Sequence, residues 1–201
     1  MTRIKLCGLQ SLNDVTAANA VQPDYIGFVF AKTSKRFVTP QTAEELRKKL
    51  DRKIAVVGVF VNEPVEVVAE LLNKEIIDMA QLHGNESEEY ITLLRKKADK
   101  KLIKAFSVNE AKNLQAAYSC SADYILLDSG SGGTGKSFDW NILQDFGRAY
   151  FLAGGLNINN VSEAVSRLHP YAVDVSSGVE TDGRKDDVKM AAFVNAVRNR
   201  M

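Results

Sequence analysis

Short apolar runs alternate along this chain with longer stretches in which apolar positions recur every three or four residues. The runs cover 4–7, 25–30, 54–61, 79–82, 102–105, 124–127, 151–153 and 172–175. A run that is apolar on both faces suits a parallel strand buried on both sides, since its neighbours must cover it above and below. The intervening stretches predict helices over 11–20, 41–50, 64–73, 87–98, 110–118, 139–146, 160–168 and 187–199. Ser11 suits an N-cap and Pro64 a first helical turn. The strand–helix unit recurs roughly every 25 residues, so the chain reads as a β/α repeat. The expected fold class is α/β, a single (β/α)8 TIM barrel of eight parallel strands over residues 1–201. A doubly wound open sheet is the alternative.

Composition narrows this little further. With 201 residues and 45% hydrophobic side chains, the chain can bury one sizeable core. No linker-like tract interrupts the repeat, which favours one domain. The 26 basic and 25 acidic side chains nearly cancel, so no bulk field draws the protein to nucleic acid or to a membrane. The opening MTRIKLCGLQ has no apolar leader core, and a cytoplasmic, soluble monomer is expected. Cys7 and Cys120 lie far apart and lack metal-ligand spacing.

Candidate chemistry gathers where strands end. The sixth run leads into Asp128 and then a glycine-rich segment, and 130–137 satisfies the nucleotide-binding pattern G-x-x-x-x-G-K-[ST]. Its late position in the repeat argues against that function, because in nucleotide-binding P-loop domains the loop follows an early strand. Alternation along a strand puts residues two apart on one face. If Ile4 and Leu6 face the helices, then Lys5 and Cys7 face the interior, and the same parity turns Gln81, His83, Asp128 and Asp174 inward. A polar ring of Cys7, Gln81, His83 and Asp128 is therefore expected at the mouth. Each has a plainer reading: a buried thiol, a loop histidine, a carboxylate capping a turn. Lys5 and Asp174 are expected to pair with each other, because the first and last strands of a barrel are neighbours and a buried charge needs a partner. The loops holding Gly154, Gly155, Ser177 and Gly178 follow the seventh and eighth strands, where many such barrels hold a phosphate.

With these motifs on the page, the chain resembles the phosphoribosylanthranilate isomerase family. The matching stretches are KLCGLQ at 5–10, GFVF with SKR across 27–36, VGVFVN at 57–62, QLHGNE at 81–86, DSGSGGTGKSFDW at 128–140, LAGGLNINNV at 152–161 and DVSSGVETDGRKD at 174–186. The resemblance implies an Amadori rearrangement of a phosphorylated small molecule, with no metal and no cofactor. It makes Cys7 the general base and Asp128 the general acid. It gives Arg36 the substrate's carboxylate and makes the segment containing Gly133 a cover over the substrate. Two residues depart from the family's usual motifs: Lys35 stands where proline is common, and Gln10 where threonine or arginine is. Without proline's fixed φ, Arg36 is expected to be less firmly placed. The related histidine-pathway isomerase is the nearest alternative, although it carries an aspartate in place of Cys7.

Overall fold

The computed structural model describes residues 1–108, 111–128, 140–143 and 146–199. Eight parallel strands follow one another around a closed barrel: β1 (Arg3–Cys7), β2 (Tyr25–Val29), β3 (Ala55–Phe60), β4 (Met79–Leu82), β5 (Lys101–Ser107), β6 (Tyr124–Asp128), β7 (Tyr150–Leu152) and β8 (Ala172–Val175). The expected barrel is thus the observed fold. An open sheet is excluded because each strand pairs with the next and β8 pairs back with β1, which leaves no edge strand.

The helices α1 (Leu12–Val21), α2 (Pro40–Arg47), α3 (Val65–Asn73), α4 (Glu88–Lys97), α5 (Ala111–Ser119), α6 (Val161–Leu168) and α7 (Asp187–Arg198) pack outside. Ser11 caps α1 by accepting from the Asp14 amide, while the Asp14 carboxylate accepts from the Ser11 amide in return. One expectation fails. Of the helix expected over 139–146, the described stretch Trp140–Leu143 is a 3-10 turn instead, while 139, 144 and 145 lie outside the described residues. Trp140 and Leu143 are the buried pair there, and residues three apart share one edge of a 3-10 turn. One tight turn therefore buries both.

Strand parity divides the core in two. Outward residues such as Ile4, Leu6, Ile26, Phe28 and Val56 are buried under the helices, while Tyr25, Val57, Met79, Ile103, Leu126 and Phe151 fill the barrel. Each such side chain contributes about 1.5–3 kcal/mol on burial.

The N-terminal end of the barrel is tied shut. Asp24, Asp78 and Asp123 stand just before β2, β4 and β6, and accept the amides of Ile4, Val56 and Leu102 at 2.9, 2.7 and 3.0 Å. Each carboxylate joins its strand to the preceding one by a charge-assisted bond. Arg3 Nη1 donates to the hydroxyl of Tyr25 at 2.8 Å and to that of Tyr171, whose hydroxyl reaches Tyr124. This plug leaves the opposite end, where the strands' C-termini lie, for a site. Among the described residues no helix is long and apolar enough to cross a membrane.

Candidate active site

Cys7 closes β1 as a buried thiol packed against Val29 and Val59. The neighbouring strand leaves room for it only because position 27 is glycine, where a Cβ would stand 2.7 Å from Cys7 Sγ. Cys7, Gln81, His83 and Asp128 line one cavity of about 310 Å³, together with Arg36, Gly154, Gly155 and Ser177. A wider cavity of about 670 Å³, reaching Lys104 and Phe106, adjoins it at Val61, His83 and Asp128. The structure thus brings the ring residues to a single mouth. Gly133 and the whole segment 130–137 lie outside the described residues.

Gln81 and His83 act together. The Gln81 amide Nε2 donates to His83 Nδ1 at 2.8 Å, which in this orientation puts the imidazole proton on Nε2. That nitrogen faces Asp128 Oδ2 at 3.8 Å, beyond hydrogen-bond length. Burial holds the His83 pKa below its usual value, and the Asp128 charge offsets this only in part. This favours the neutral imidazole of His83. Gln81 Oε1 is buried and has no hydrogen-bond partner among the described residues.

Beneath Cys7, Lys5 Nζ donates to Asp174 Oδ2 at 2.7 Å, the pairing expected from strand adjacency. Burial alone would lower the Lys5 pKa, but Asp174 and Cys7 together, through charge and hydrogen bonding, outweigh it and hold Lys5 above its usual value. For Cys7, burial raises the thiol pKa against the pull of Lys5.

Arg36 is held more firmly than the lysine before it suggests. Its Nε and Nη2 donate to the two carboxylate oxygens of Glu180 at 2.6 and 2.8 Å, a bidentate fork. Lys185 Nζ donates to the same carboxylate at 2.7 Å and to Ser176 O at 3.0 Å. Ser176 Oγ in turn donates to the Cys7 carbonyl at 3.0 Å. The Arg36 stem lies on Gly8, where a Cβ would come within 2.4 Å of Cδ. Gln10 Nε2 donates to the Lys35 carbonyl at 3.1 Å, so the two departures from the family's motifs touch each other. A side-chain hydrogen bond and an ion pair thus hold the loop in which Lys35 stands at the position of the family's common proline.

Burial would raise the Glu180 pKa, but Arg36 and Lys185 bring it down to about 2, from an ordinary 4.5. A carboxyl depressed on folding stabilises above its unfolded pKa, and that contribution is lost as pH falls through the folded value. Denaturant melts of wild type and Glu180→Gln should therefore differ by a constant amount above about pH 5, with the gap closing as acid approaches pH 2. A gap independent of pH across that window would show that the carboxylate is not held by these cations.

The loops after β7 and β8 meet. Gly154 and Gly155 take φ of +90° and +66°, left-handed values that favour glycine. Gly178 packs so closely that a Cβ would stand 1.9 Å from Leu156 O. It lets the two loops pass, and Gly178 is not among the described residues that line the cavity. Asn157 and Asn160 both donate side-chain amides to Gly155 O, at 3.1 and 3.0 Å. Sequence reasoning missed Gly27, Glu180, Lys185 and Ser176. Glu180 and Lys185 come from the small hairpin β9 (Glu180–Thr181) and β10 (Arg184–Lys185), too short to leave a periodic signal. It also missed the pair of Lys104 and Glu86 at 3.2 Å, which fixes the turn after His83 as Glu86 accepts the amides of Asn62 and Gly84. Among the described residues no group of three or more His, Cys, Asp or Glu could hold a metal ion.

Comparison with known proteins points one way. Residues 4–196 match the family model of N-(5'-phosphoribosyl)anthranilate (PRA) isomerase. An N-(5'-phosphoribosyl)anthranilate isomerase of Endomicrobium trichonymphae is 45% identical over 203 residues, covering 99% of this chain and 100% of that one. Among solved structures, the phosphoribosyl anthranilate isomerase of Thermotoga maritima superposes with a TM-score of 0.90 at 35% identity, over 98% of this chain and 99% of that one. A solved phosphoribosyl anthranilate isomerase in complex with reduced 1-(o-carboxyphenylamino)-1-deoxyribulose 5-phosphate gives 0.88 at 34% identity, with the same coverage.

Proposed function

The chain belongs to the N-(5'-phosphoribosyl)anthranilate isomerase family and is an isomerase of tryptophan biosynthesis, and from that premise we propose how its cavity performs the reaction. The substrate is N-(5'-phosphoribosyl)anthranilate and the product 1-(2-carboxyphenylamino)-1-deoxyribulose 5-phosphate. Family membership sets aside the histidine-pathway isomerase and the nucleotide-binding reading. Asp128 gives a proton to the ring oxygen as the C1'–O bond breaks, leaving a protonated imine. The Cys7 thiolate then removes the C2' proton, and the resulting enolamine tautomerises to the ketone. One proton enters at oxygen and one leaves at carbon, so the rearrangement is redox-neutral and needs no redox partner.

The observation that supports this most is that Cys7 and Asp128, which end β1 and β6, face the same cavity. On a closed barrel those strands stand across the mouth from each other, so an acid and a base can reach opposite edges of one sugar. Gly154, Gly155, Ser177 and Gly178 belong to the loops that would take the 5'-phosphate. Gln81 Oε1, in the cavity wall and unpartnered among the described residues, would accept a substrate hydroxyl, and His83 would orient the ring beside Asp128. Gly133 would belong to a cover over the bound substrate. The unit in this reading is a single-domain monomer, which light scattering tests. The direct test of activity is loss of the substrate's fluorescence on adding the protein; no loss at enzyme equal to substrate would sink the reading.

Arg36 would hold the anthranilate carboxylate with the N–H groups that Glu180 leaves unused, chiefly on Nη1. Arg36→Ala should weaken substrate binding by about 1.5–3 kcal/mol, the range for hydrogen bonds to charged groups. The comparison that decides is an analogue lacking the carboxylate. Should it lose as much from the substitution as the full substrate does, Arg36 reads some other feature.

A further inference from the structure

We propose that the buried Lys5–Asp174 pair is a positioning device for the Cys7 thiolate: Lys5 supplies the positive charge that lets a sunken thiol ionise, and Asp174 keeps Lys5 in place and charged. This rests on Cys7 being the base. Lys5 and Cys7 are two residues apart on the inward face of β1, so their Cβ atoms are separated by about 7 Å, within reach of a lysine side chain. Lys5 is fully buried. Its Nζ is fixed on Asp174 Oδ2 at 2.7 Å, and Asp174 lines the same cavity as Cys7. The ammonium is thus close enough to the thiol to act on it through charge and a hydrogen bond. An ion pair this deep is a weak source of stability, because replacing one by apolar residues of like size is often neutral or favourable. A charge beneath a nucleophile or base has a different use: an opposite charge within about 4–6 Å favours the ionised form.

The other charged groups around Cys7 do not serve as well. Lys185 lies near it but is tied to Glu180 and Ser176, and Arg36 is taken by the same Glu180. His83 favours its neutral form and stands with Asp128 in the facing wall of the cavity. Asp174 itself opposes thiolate formation, while Lys5 favours it more strongly through charge and a hydrogen bond together. Among the described residues Asp174 Oδ1 has no hydrogen-bond partner, and Lys5 is what holds the other carboxylate oxygen.

The test uses ligand-free protein, so that it does not depend on turnover. Alkylation of Cys7 by iodoacetamide is followed across pH by peptide-resolved mass spectrometry, which separates Cys7 from Cys120. In Lys5→Met the midpoint should rise by about one to three pH units, slowing alkylation near neutral pH at least about tenfold. In Lys5→Met/Asp174→Asn the rise should be smaller, since the opposing carboxylate charge is gone as well. The double variant leaves no buried charge unpaired, and it decides alone if Lys5→Met does not fold. A wild-type midpoint in the double variant would overturn the proposal. If the alkylation midpoint moves and the acid limb of kcat moves with it, device and base role both stand. If alkylation moves and that limb does not, Lys5 still sets the thiol, and it is the assignment of Cys7 as the base that falls.

Discussion

Cys7→Ser should cost at least about 100-fold in turnover, the lower range for a positioned general base, while fold and product affinity stay as they are. Serine is close to cysteine in size, so the contact with Gly27 and the packing on Val29 and Val59 persist. What changes is acidity. A free thiol has a pKa of about 8.5, and burial pushes that of Cys7 up, yet a thiolate remains reachable near neutral pH and an alkoxide does not. The protonated imine makes the C2' proton acidic and adds positive charge beside the sulfur at the step that uses it. Steady-state kinetics of the variant measures the loss, and a thiol reagent that inactivates the wild type should leave the residual activity of Cys7→Ser untouched. Near wild-type turnover in the variant would send the search for the base to His83, the imidazole on the same cavity.

Asp128→Asn should abolish turnover while leaving product affinity within about tenfold, or 1.4 kcal/mol. Asparagine keeps the shape of the side chain at the end of β6, where residue 128 pairs with Ser107 of β5, but it has no carboxyl proton to give. Ring opening then lacks its acid, and the barrier rises for a step that precedes everything Cys7 does. The two measurements are separable: turnover by fluorescence, product affinity by calorimetry. Substantial turnover in Asp128→Asn would take Asp128 out of the acid role.

Much of the barrel can be read along the chain because its logic is local. Parity on β1 requires only that Ile4 and Leu6 be apolar and Lys5 and Cys7 not, and from there adjacency of the first and last strands gives the Lys5–Asp174 pair. The acidic residue before Tyr25, Met79 and Tyr124 recurs in the sequence as well. Its tie to the preceding strand was nevertheless illegible, because the accepted amide belongs to a residue about twenty positions away whose register only closure fixes. Where the sequence predicts helix, Trp140–Leu143 forms a 3-10 turn for the opposite reason, since two buried apolar residues three apart cannot tell a 3-10 turn from a helix.

The sequence by itself determined the eightfold repeat, the direction each strand residue faces and the residues gathered at the strand ends. These follow from periodicities of two and 3.6, which are properties of neighbouring residues. Tertiary structure decided what surrounds those residues. Nothing in the order of residues 27, 36 and 180 says that a missing Cβ makes space for the Cys7 sulfur, or that Glu180 occupies half of the Arg36 fork. Such facts depend on distances between segments far apart in the chain, set by barrel closure and by a hairpin folding back on the mouth. Pairing, burial and pKa are consequences of those distances, and so belong to the folded molecule alone.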